Sequence, residues 1–136
     1  MCAQTSNAEA AKIAEGLQRL RVLRTAIAAR DAWWERGGLL ITTDYVVDET
    51  LTLIRLRLGL NAAEAWWRQV DGSSRVRWEP ITPSRVEKAR SLFFRYQDRD
   101  FSFTDCTSFI VMRELRLREA LTTDHHFAQM GFELKP

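Results

Sequence analysis

The sequence is poor in cysteine and lysine, and it contains no long hydrophobic run. Its two cysteines, Cys2 and Cys106, lie far apart and outside any CxxC or histidine spacing, which argues against a disulfide framework and a zinc site. No segment is apolar enough to span a membrane, and residues 1–7 lack the charged and apolar regions of a secretion signal. We therefore expect a cytoplasmic protein with no membrane partner, in which Cys106 is a small core residue.

Because lysine is scarce, arginine carries nearly all the positive charge. Only Lys12, Lys88 and Lys135 are lysines among the 20 basic residues, and the net charge is a mild +2. Arginine suits bidentate contacts with phosphate, as a nucleic-acid partner would need. The arginines are scattered along the chain, however. A bias in genome composition therefore explains the excess of arginine over lysine slightly better than a nucleic-acid partner does.

The hydrophobic pattern predicts one α/β domain over residues 1–136. A hydrophobic content of 46% is enough for one core, and no internal repeat is present. Strands alternating with helices predict a central, mostly parallel sheet flanked by helices, which binds ligands beyond the carboxyl ends of its strands. The predicted helices are 8–36, 44–58, 61–70, one starting at Thr82-Pro83 and one opened by Ser102, and the predicted strands are 39–42, 76–78, 119–123 and 132–134.

Asp105 stands at the start of the most apolar of these helices. Ser102 precedes it by three residues, the spacing of a capping box, and helix capping alone would explain an isolated pair of this kind. The rest of the helix is apolar around most of its circumference, which predicts a buried helix with a carboxylate at its mouth facing a cleft. Its apolar residues are Cys106, Phe109, Ile110, Val111 and Met112.

Two further acids belong near the same edge of the predicted sheet. Glu49 lies on the helix 44–58 beside the apolar residues Val46, Leu53 and Leu56. A buried acid there needs a compensating charge, hydrogen bonds or a metal; a surface glutamate is the alternative. Asp124 follows the strand 119–123 at its carboxyl end. Acids that converge on one crevice repel unless a cation or protons neutralise them. Oxygen ligands without cysteine or histidine favour Mg²⁺ or Mn²⁺, which suits metal-assisted hydrolysis of a phosphodiester.

Three stretches together resemble the PIN-domain nucleases, especially the VapC-like ribonuclease toxins of toxin–antitoxin pairs. They are TDYVVDET after the strand 39–42, FSFTDCTS at 101–108, and LTTDHHF at 121–127 with Gly131-Phe132 following. The resemblance implies a metal-dependent endoribonuclease with an RNA substrate and a cognate antitoxin. It implies that Glu49, Asp105 and Asp124 are catalytic and are three of four acids that bind Mg²⁺ (or Mn²⁺). Thr104 and Ser108 are candidates for supporting these ligands.

The first acid of the family pattern is missing. Gln4 stands where that acid is expected, and the first strand, about residues 1–7, is short and weakly apolar. Glu9 is another candidate for the missing carboxylate. The alternative hypothesis is therefore a catalytically impaired PIN module that binds RNA or a partner protein. A phospho-accepting signalling domain fits less well, because no lysine is placed at a strand end.

Aromatic and basic residues outside these stretches suggest partner surfaces. Two tryptophan pairs, Trp33-Trp34 and Trp66-Trp67, point about 100° apart on their helices, so both rings of a pair cannot be fully buried in one core. They indicate a homodimer face or an antitoxin groove, with core packing as the alternative, and we expect a homodimer. His125-His126 are interpreted as turn residues, with contact to RNA or to the scissile phosphate as the alternative. The candidates for an RNA-binding rim, or for a solvated helix face, are Arg55, Arg57, Arg95 and Arg99.

Overall fold

The computed structural model of the chain describes residues 7–135, which form six helices and four short strands. Gln4 and the atypical first strand therefore lie outside the described residues, as does the side chain of Glu9. In chain order the segments are α1 (Asn7–Glu35), β1 (Leu40–Thr43), α2 (Asp44–Leu58), α3 (Leu60–Asp71), β2 (Val76–Glu79), α4 (Pro83–Arg95), α5 (Phe103–Glu114), β3 (Glu119–Ala120), α6 (His125–Gln129) and β4 (Glu133–Leu134).

The strands pair in parallel, which confirms the predicted α/β class. In one two-stranded sheet β1 lies beside β2, and Thr43 is opposite Glu79 at its end. In another, β3 lies beside β4 with Glu119 opposite Glu133. Parallel strands need a crossover between them, and here α2 and α3 connect β1 to β2.

The residues cluster into two compact units. The larger unit, Gly37–Arg118, contains β1, β2 and the helices α2 to α5. The smaller unit contains α1 together with β3, α6 and β4. The single domain expected over residues 1–136 stays a prediction. Among residues 7–135, no helix combines the length and hydrophobicity needed to cross a membrane.

Three predicted helix boundaries are confirmed by their caps. The hydroxyl of Thr43 accepts a hydrogen bond from the Val46 N–H at 3.1 Å, so α2 begins where the sequence predicts. Gly59 ends α2 with a φ of +93°, a conformation that favours glycine. Thr82 caps α4, and Pro83 occupies its first turn.

The predicted start of the helix 61–70 at Asn61 and the predicted length of the strand 119–123 are wrong. Helix α3 already begins at Leu60, because the turn at Gly59 leads directly into it without a side-chain cap. Strand β3 stops at Ala120, since β4 offers only two residues for pairing. The chain then turns, with the hydroxyl of Thr122 accepting a hydrogen bond from the Asp124 N–H at 3.0 Å.

Helix α5 supplies more of the core of the larger unit than any other helix or strand does. Cys106 and Phe109 are fully buried, which confirms the buried helix and the core role predicted for Cys106. Phe109 packs edge-on against the buried Phe101, with ring centroids 5.2 Å apart. Ala89 and Leu92 form the buried face of the neighbouring α4. The buried hydroxyl of a further core residue, Thr107, is satisfied by the Thr104 carbonyl at 2.7 Å.

An ion-pair network ties β2, α4 and α5 together. The buried carboxylate of Glu79 pairs with Arg85 at 2.9 Å and with Arg77 at 2.5 Å. Arg85 also pairs with Glu114 at 2.9 Å, and Lys88 pairs with the same carboxylate at 2.8 Å. The hydrogen bond from Arg85 lowers the pKa of Glu79, although burial acts in the opposite direction. Hydrogen bonds from Lys88 and Arg85 lower the pKa of Glu114.

Lowering the pH should reduce the contribution of this network to stability. Both carboxyl pKa values lie below the ordinary 4.5 in the folded chain, so the unfolded chain binds protons first as the pH falls. Their contribution to stability is therefore present above about pH 4.5 and is lost as the pH drops through the folded values. Urea unfolding from about pH 6 to about pH 3 should show a shallower decline for Glu79→Gln than for the wild type. Parallel declines would contradict this assignment.

Candidate metal centre

Asp105 is both a helix cap and a candidate ligand. Its N–H donates to the Ser102 hydroxyl at 3.0 Å, and its Oδ2 accepts from the Ser102 N–H at 3.0 Å, which confirms the predicted capping box. Its Oδ1 accepts no hydrogen bond from any residue that the structure describes. The half-buried carboxylate is thus held by one oxygen and can offer the other to a ligand. Capping and metal binding are compatible here.

Asp124 caps a second helix. Its Oδ1 accepts a hydrogen bond from the His126 N–H at 2.9 Å at the start of α6. Sequence reasoning placed Asp124 directly at the end of a strand, but β3 ends four residues earlier at Ala120. The backbone bond to Thr122 and the cap of α6 fix its position instead.

His126 is a residue whose contact the sequence interpretation missed. It lies in the first turn of α6, and its Nδ1 is 3.0 Å from Asp124 Oδ1. An aspartate two residues before a histidine, at a helix cap, is the signal that could have indicated this pair. A carboxylate beside an imidazole nitrogen orients the ring, and both atoms are potential metal ligands.

Glu49 has surroundings different from those predicted. It is exposed, and within α2, all of which the structure describes, Val47 is the only buried residue. Leu53 and Leu56, expected to surround Glu49 with apolar contacts, are 43% and 77% exposed. The carboxylate therefore needs no compensating charge. Among the described residues it belongs to no group of three potential ligand atoms within 4.8 Å of one another.

An aromatic contact brings the first turns of α2 and α5 together within the larger unit. The rings of Tyr45 and Phe103 are tilted, with centroids 6.4 Å apart. Tyr45 stands four residues before Glu49 and so shares its face of α2, one turn away. Phe103 stands two residues before Asp105. Glu49 and Asp105 thus belong to neighbouring helices of the larger unit, whereas Asp124 belongs to the smaller unit.

Asp44 is a further acid at this end of α2, and its function is structural. Its Oδ1 accepts hydrogen bonds from the Tyr45 N–H at 3.0 Å and from the Ile81 N–H at 2.9 Å. Asp44 therefore ties the start of α2 to the segment that follows β2. An acid in the first turn of a helix also interacts favourably with the helix dipole, and this is the signal visible in the sequence.

Some of the aromatic and basic residues predicted to form partner surfaces are exposed. Trp66 is half-buried and Trp67 is 38% exposed, which confirms that neither ring is fully buried. Trp67 packs edge-on against Trp78 with ring centroids 5.3 Å apart. Arg55 and Arg57 are exposed on α2.

The chain is similar in sequence and in structure to proteins that are already known. The model of the PIN domain family matches residues 8–133. The 23S rRNA-specific endonuclease VapC20 of Mycobacterium tuberculosis is 35% identical over 109 residues, which cover 79% of this chain and 82% of that protein. Ribonuclease VapC26 of Mycobacterium tuberculosis is 29% identical over 94 residues, 67% of either chain. The crystal structure of VapC20, described as a Sarcin-Ricin loop cleaving toxin, has a TM-score of 0.68 at 33% identity and covers 76% of this chain and 79% of its own.

Proposed function

Because this chain belongs to the PIN domain family, we propose that it is a metal-dependent endoribonuclease and that it acts as the toxin of a toxin–antitoxin pair. One observation carries the proposal: the similarity to VapC20, an RNA endonuclease, extends over about four-fifths of both chains. VapC26, the more distant relative, is also a ribonuclease. The reaction is hydrolysis of a phosphodiester bond in RNA.

The candidate acids fit a divalent cation. Nucleases of the PIN family generally use divalent metal ions, and Mg²⁺ or Mn²⁺ prefers carboxylate oxygen. We assign Glu49, Asp105 and Asp124 as the ligands; Asp105 has an unengaged Oδ1, and Glu49 is exposed to solvent. A divalent ion held by these carboxylates would activate water and stabilise negative charge on the attacked phosphate.

The chain orients two of these carboxylates before any ion binds. The backbone N–H of Ser102 holds one oxygen of Asp105, and the backbone N–H of His126 holds one oxygen of Asp124. Because these donors belong to helix ends, the carboxylates lose little further freedom on binding a cation. The fourth ligand stays a prediction, since Gln4 and the side chain of Glu9 lie outside the described residues.

The less favoured hypothesis is a catalytically impaired PIN module. It is suggested by Gln4, which stands at the position of the first acid of the family pattern. Both similar proteins are named for nuclease activity, which favours an active enzyme. Replacing Gln4 by aspartate separates the two hypotheses, because an impaired site should gain cleavage strongly and a working site should not.

The proposal extends to partners and location. The chain works as a single PIN domain in the cytoplasm, where ribosomal RNA such as the substrate of VapC20 is found. A cognate antitoxin and a second copy of the chain are its protein partners, and the partly exposed Trp67 is a candidate contact for either.

Removing the metal is the direct test of this function. RNA cleavage by the wild-type chain should be abolished by excess chelator and restored by adding Mn²⁺ or Mg²⁺, because the carboxylates alone supply no Lewis acid. Gel analysis of total RNA and of an isolated rRNA fragment measures the cleavage. Calorimetric titration of Mn²⁺ measures binding directly. Cleavage that persists in chelator would contradict the metal dependence, and a chain that binds Mn²⁺ but cleaves no RNA would contradict the assigned reaction.

A further inference from the structure

Four aromatic rings form a continuous series in the larger unit. The ring of Phe94 contacts that of Phe93 edge-on, with centroids 5.3 Å apart. Phe93 in turn packs edge-on against Phe103 at 5.9 Å, and Phe103 packs against Tyr45 at 6.4 Å. The series therefore leads from the last turn of α4 to the first turns of α5 and α2.

One end of this series is open to solvent and the other end adjoins candidate ligands. Phe94 is 67% exposed and Phe93 is 36% exposed. Helix α4 buries Ala89 and Leu92 instead, so Phe94 contributes little to the core. At the other end, Phe103 is two residues from Asp105. An exposed ring at this place is thus connected through Phe93 to the helix that carries a candidate metal ligand.

Positive charge lies at the same end of α4. Arg95 directly follows Phe94 and is exposed, with its guanidinium 5.8 Å from the Tyr96 ring centroid. In the part of the chain that the structure describes, Arg95 forms no ion pair with a carboxylate. The other two arginines of α4 do form them: Arg85 pairs with Glu79 and Glu114, and Arg90 with Glu87. Arg95 therefore keeps its charge available to an anionic ligand.

We propose that Phe94, supported by Phe93, stacks against an unpaired base of the RNA substrate while Arg95 contacts its phosphate backbone. Exposed aromatic rings next to positive charge are the means by which proteins bind single-stranded nucleic acid. Stacking requires a base released from a duplex, so this subsite selects single-stranded or looped RNA. The inference rests on the proposed ribonuclease function and adds the substrate feature that the site recognises.

A binding assay separates this subsite from catalysis. Binding is measured in chelator by fluorescence anisotropy, with a labelled single-stranded RNA of about 12 nucleotides and a blunt duplex of the same sequence. Phe94→Ala should weaken single-strand binding about 5- to 100-fold and change duplex binding much less. Phe94→Trp should retain the affinity. In cleavage assays with Mn²⁺, Phe94→Ala should raise KM more than it lowers kcat.

The matched control is Leu56→Ala, which removes another apolar side chain that is 77% exposed, on α2. It should leave RNA affinity unchanged. Neither substitution should lower the melting temperature appreciably, because both side chains are mostly exposed.

The role of Arg95 is tested by salt dependence. Arg95→Gln should reduce the slope of log affinity against log salt concentration by about 1, as expected for one lost phosphate contact. Arg68→Gln is its control, since Arg68 is also exposed on a helix but pairs with Glu64 at 2.6 Å. Equal slopes for Arg95→Gln and the wild type would contradict the phosphate contact.

The outcomes distinguish the subsite from the function on which it rests. A wild type that cleaves RNA, with a Phe94→Ala variant of equal affinity and KM, would overturn the subsite and leave the nuclease intact. RNA binding that depends on Phe94 without any cleavage would support the subsite and overturn the nuclease. Sedimentation gives a further test. If Phe94→Ala converts a dimer to a monomer and the monomer binds RNA with unchanged affinity, Phe94 belongs to a protein interface and the proposal is wrong.

Discussion

Replacing Asp105 by asparagine should lower the rate of RNA cleavage at least about 100-fold while leaving the fold intact. The loss of groups that merely orient a ligand already costs about 10- to 100-fold in metal affinity or activity, so the loss of a ligand's charge should cost more. The amide oxygen of asparagine can still accept the hydrogen bond that Asp105 receives from the Ser102 N–H at 3.0 Å. Initial cleavage rates, with calorimetric titration of Mn²⁺ into both proteins, measure the effect.

Two control variants separate the carboxylate from the helix cap. Ser102→Ala removes the hydroxyl that accepts from the Asp105 N–H and should reduce the free energy of unfolding by about 1 kcal/mol. It keeps the carboxylate, so its cleavage rate should fall far less than that of Asp105→Asn. Asp98→Asn removes an exposed acid in the preceding loop and should leave the rate unchanged. If Ser102→Ala loses as much activity as Asp105→Asn, the ligand assignment fails.

Replacing Arg85 by methionine should reduce the free energy of unfolding by about 3 kcal/mol, because it leaves a buried carboxylate without its main partner. The side chains of Arg85 and Glu79 are 13% and 8% exposed, so water compensates the loss poorly. Glu114 loses a partner as well, although Lys88 stays beside it. Urea unfolding monitored by tryptophan fluorescence measures the change.

The same helix supplies the control for this prediction. Arg90 pairs with Glu87 at 2.9 Å, but both side chains are more than half exposed, so Arg90→Met should scarcely change stability. Arg85→Lys should fall between the two, since lysine keeps the charge but not the planar donor geometry. Adding Glu79→Gln to Arg85→Met should recover part of the loss, because the buried carboxylate that has lost its main partner is then replaced by a neutral amide. Equal effects of Arg85→Met and Arg90→Met would rule out a stabilising role for the network.

Local signals in the sequence predict much of this fold. Thr43, Thr82 and Ser102 each satisfy a free backbone N–H within three residues, so the start of each helix can be read without knowing the rest of the molecule. The family resemblance was carried by order and spacing over three stretches, and the match of the PIN domain family over residues 8–133 confirms it.

Features that depend on distant partners could not be predicted in this way. The length of β3 depends on how many residues β4 offers, and the exposure of Glu49 depends on which face of α2 other helices cover. The bond from the Ile81 N–H to Asp44 joins residues 37 positions apart, and no local pattern indicates it. For the candidate site, the residue types were readable from sequence. The contact between His126 and Asp124, and the availability of Asp105 Oδ1, emerge only from the geometry of the helix ends.

Under the proposed ligand assignment, Asp105 and Asp124 are metal ligands as well as helix caps, and this limits which mutations can remove the activity without unfolding the protein. Most replacements of either residue remove a cap and weaken a helix together with any chemistry, so selection for a folded protein opposes them. Asparagine is the most conservative exception, because it keeps an oxygen acceptor on a side chain of the same length without the charge. A single base change converts an aspartate codon to an asparagine codon. An inactive but intact descendant is therefore one mutation away, and natural variants silenced at these positions should carry asparagine more often than alanine.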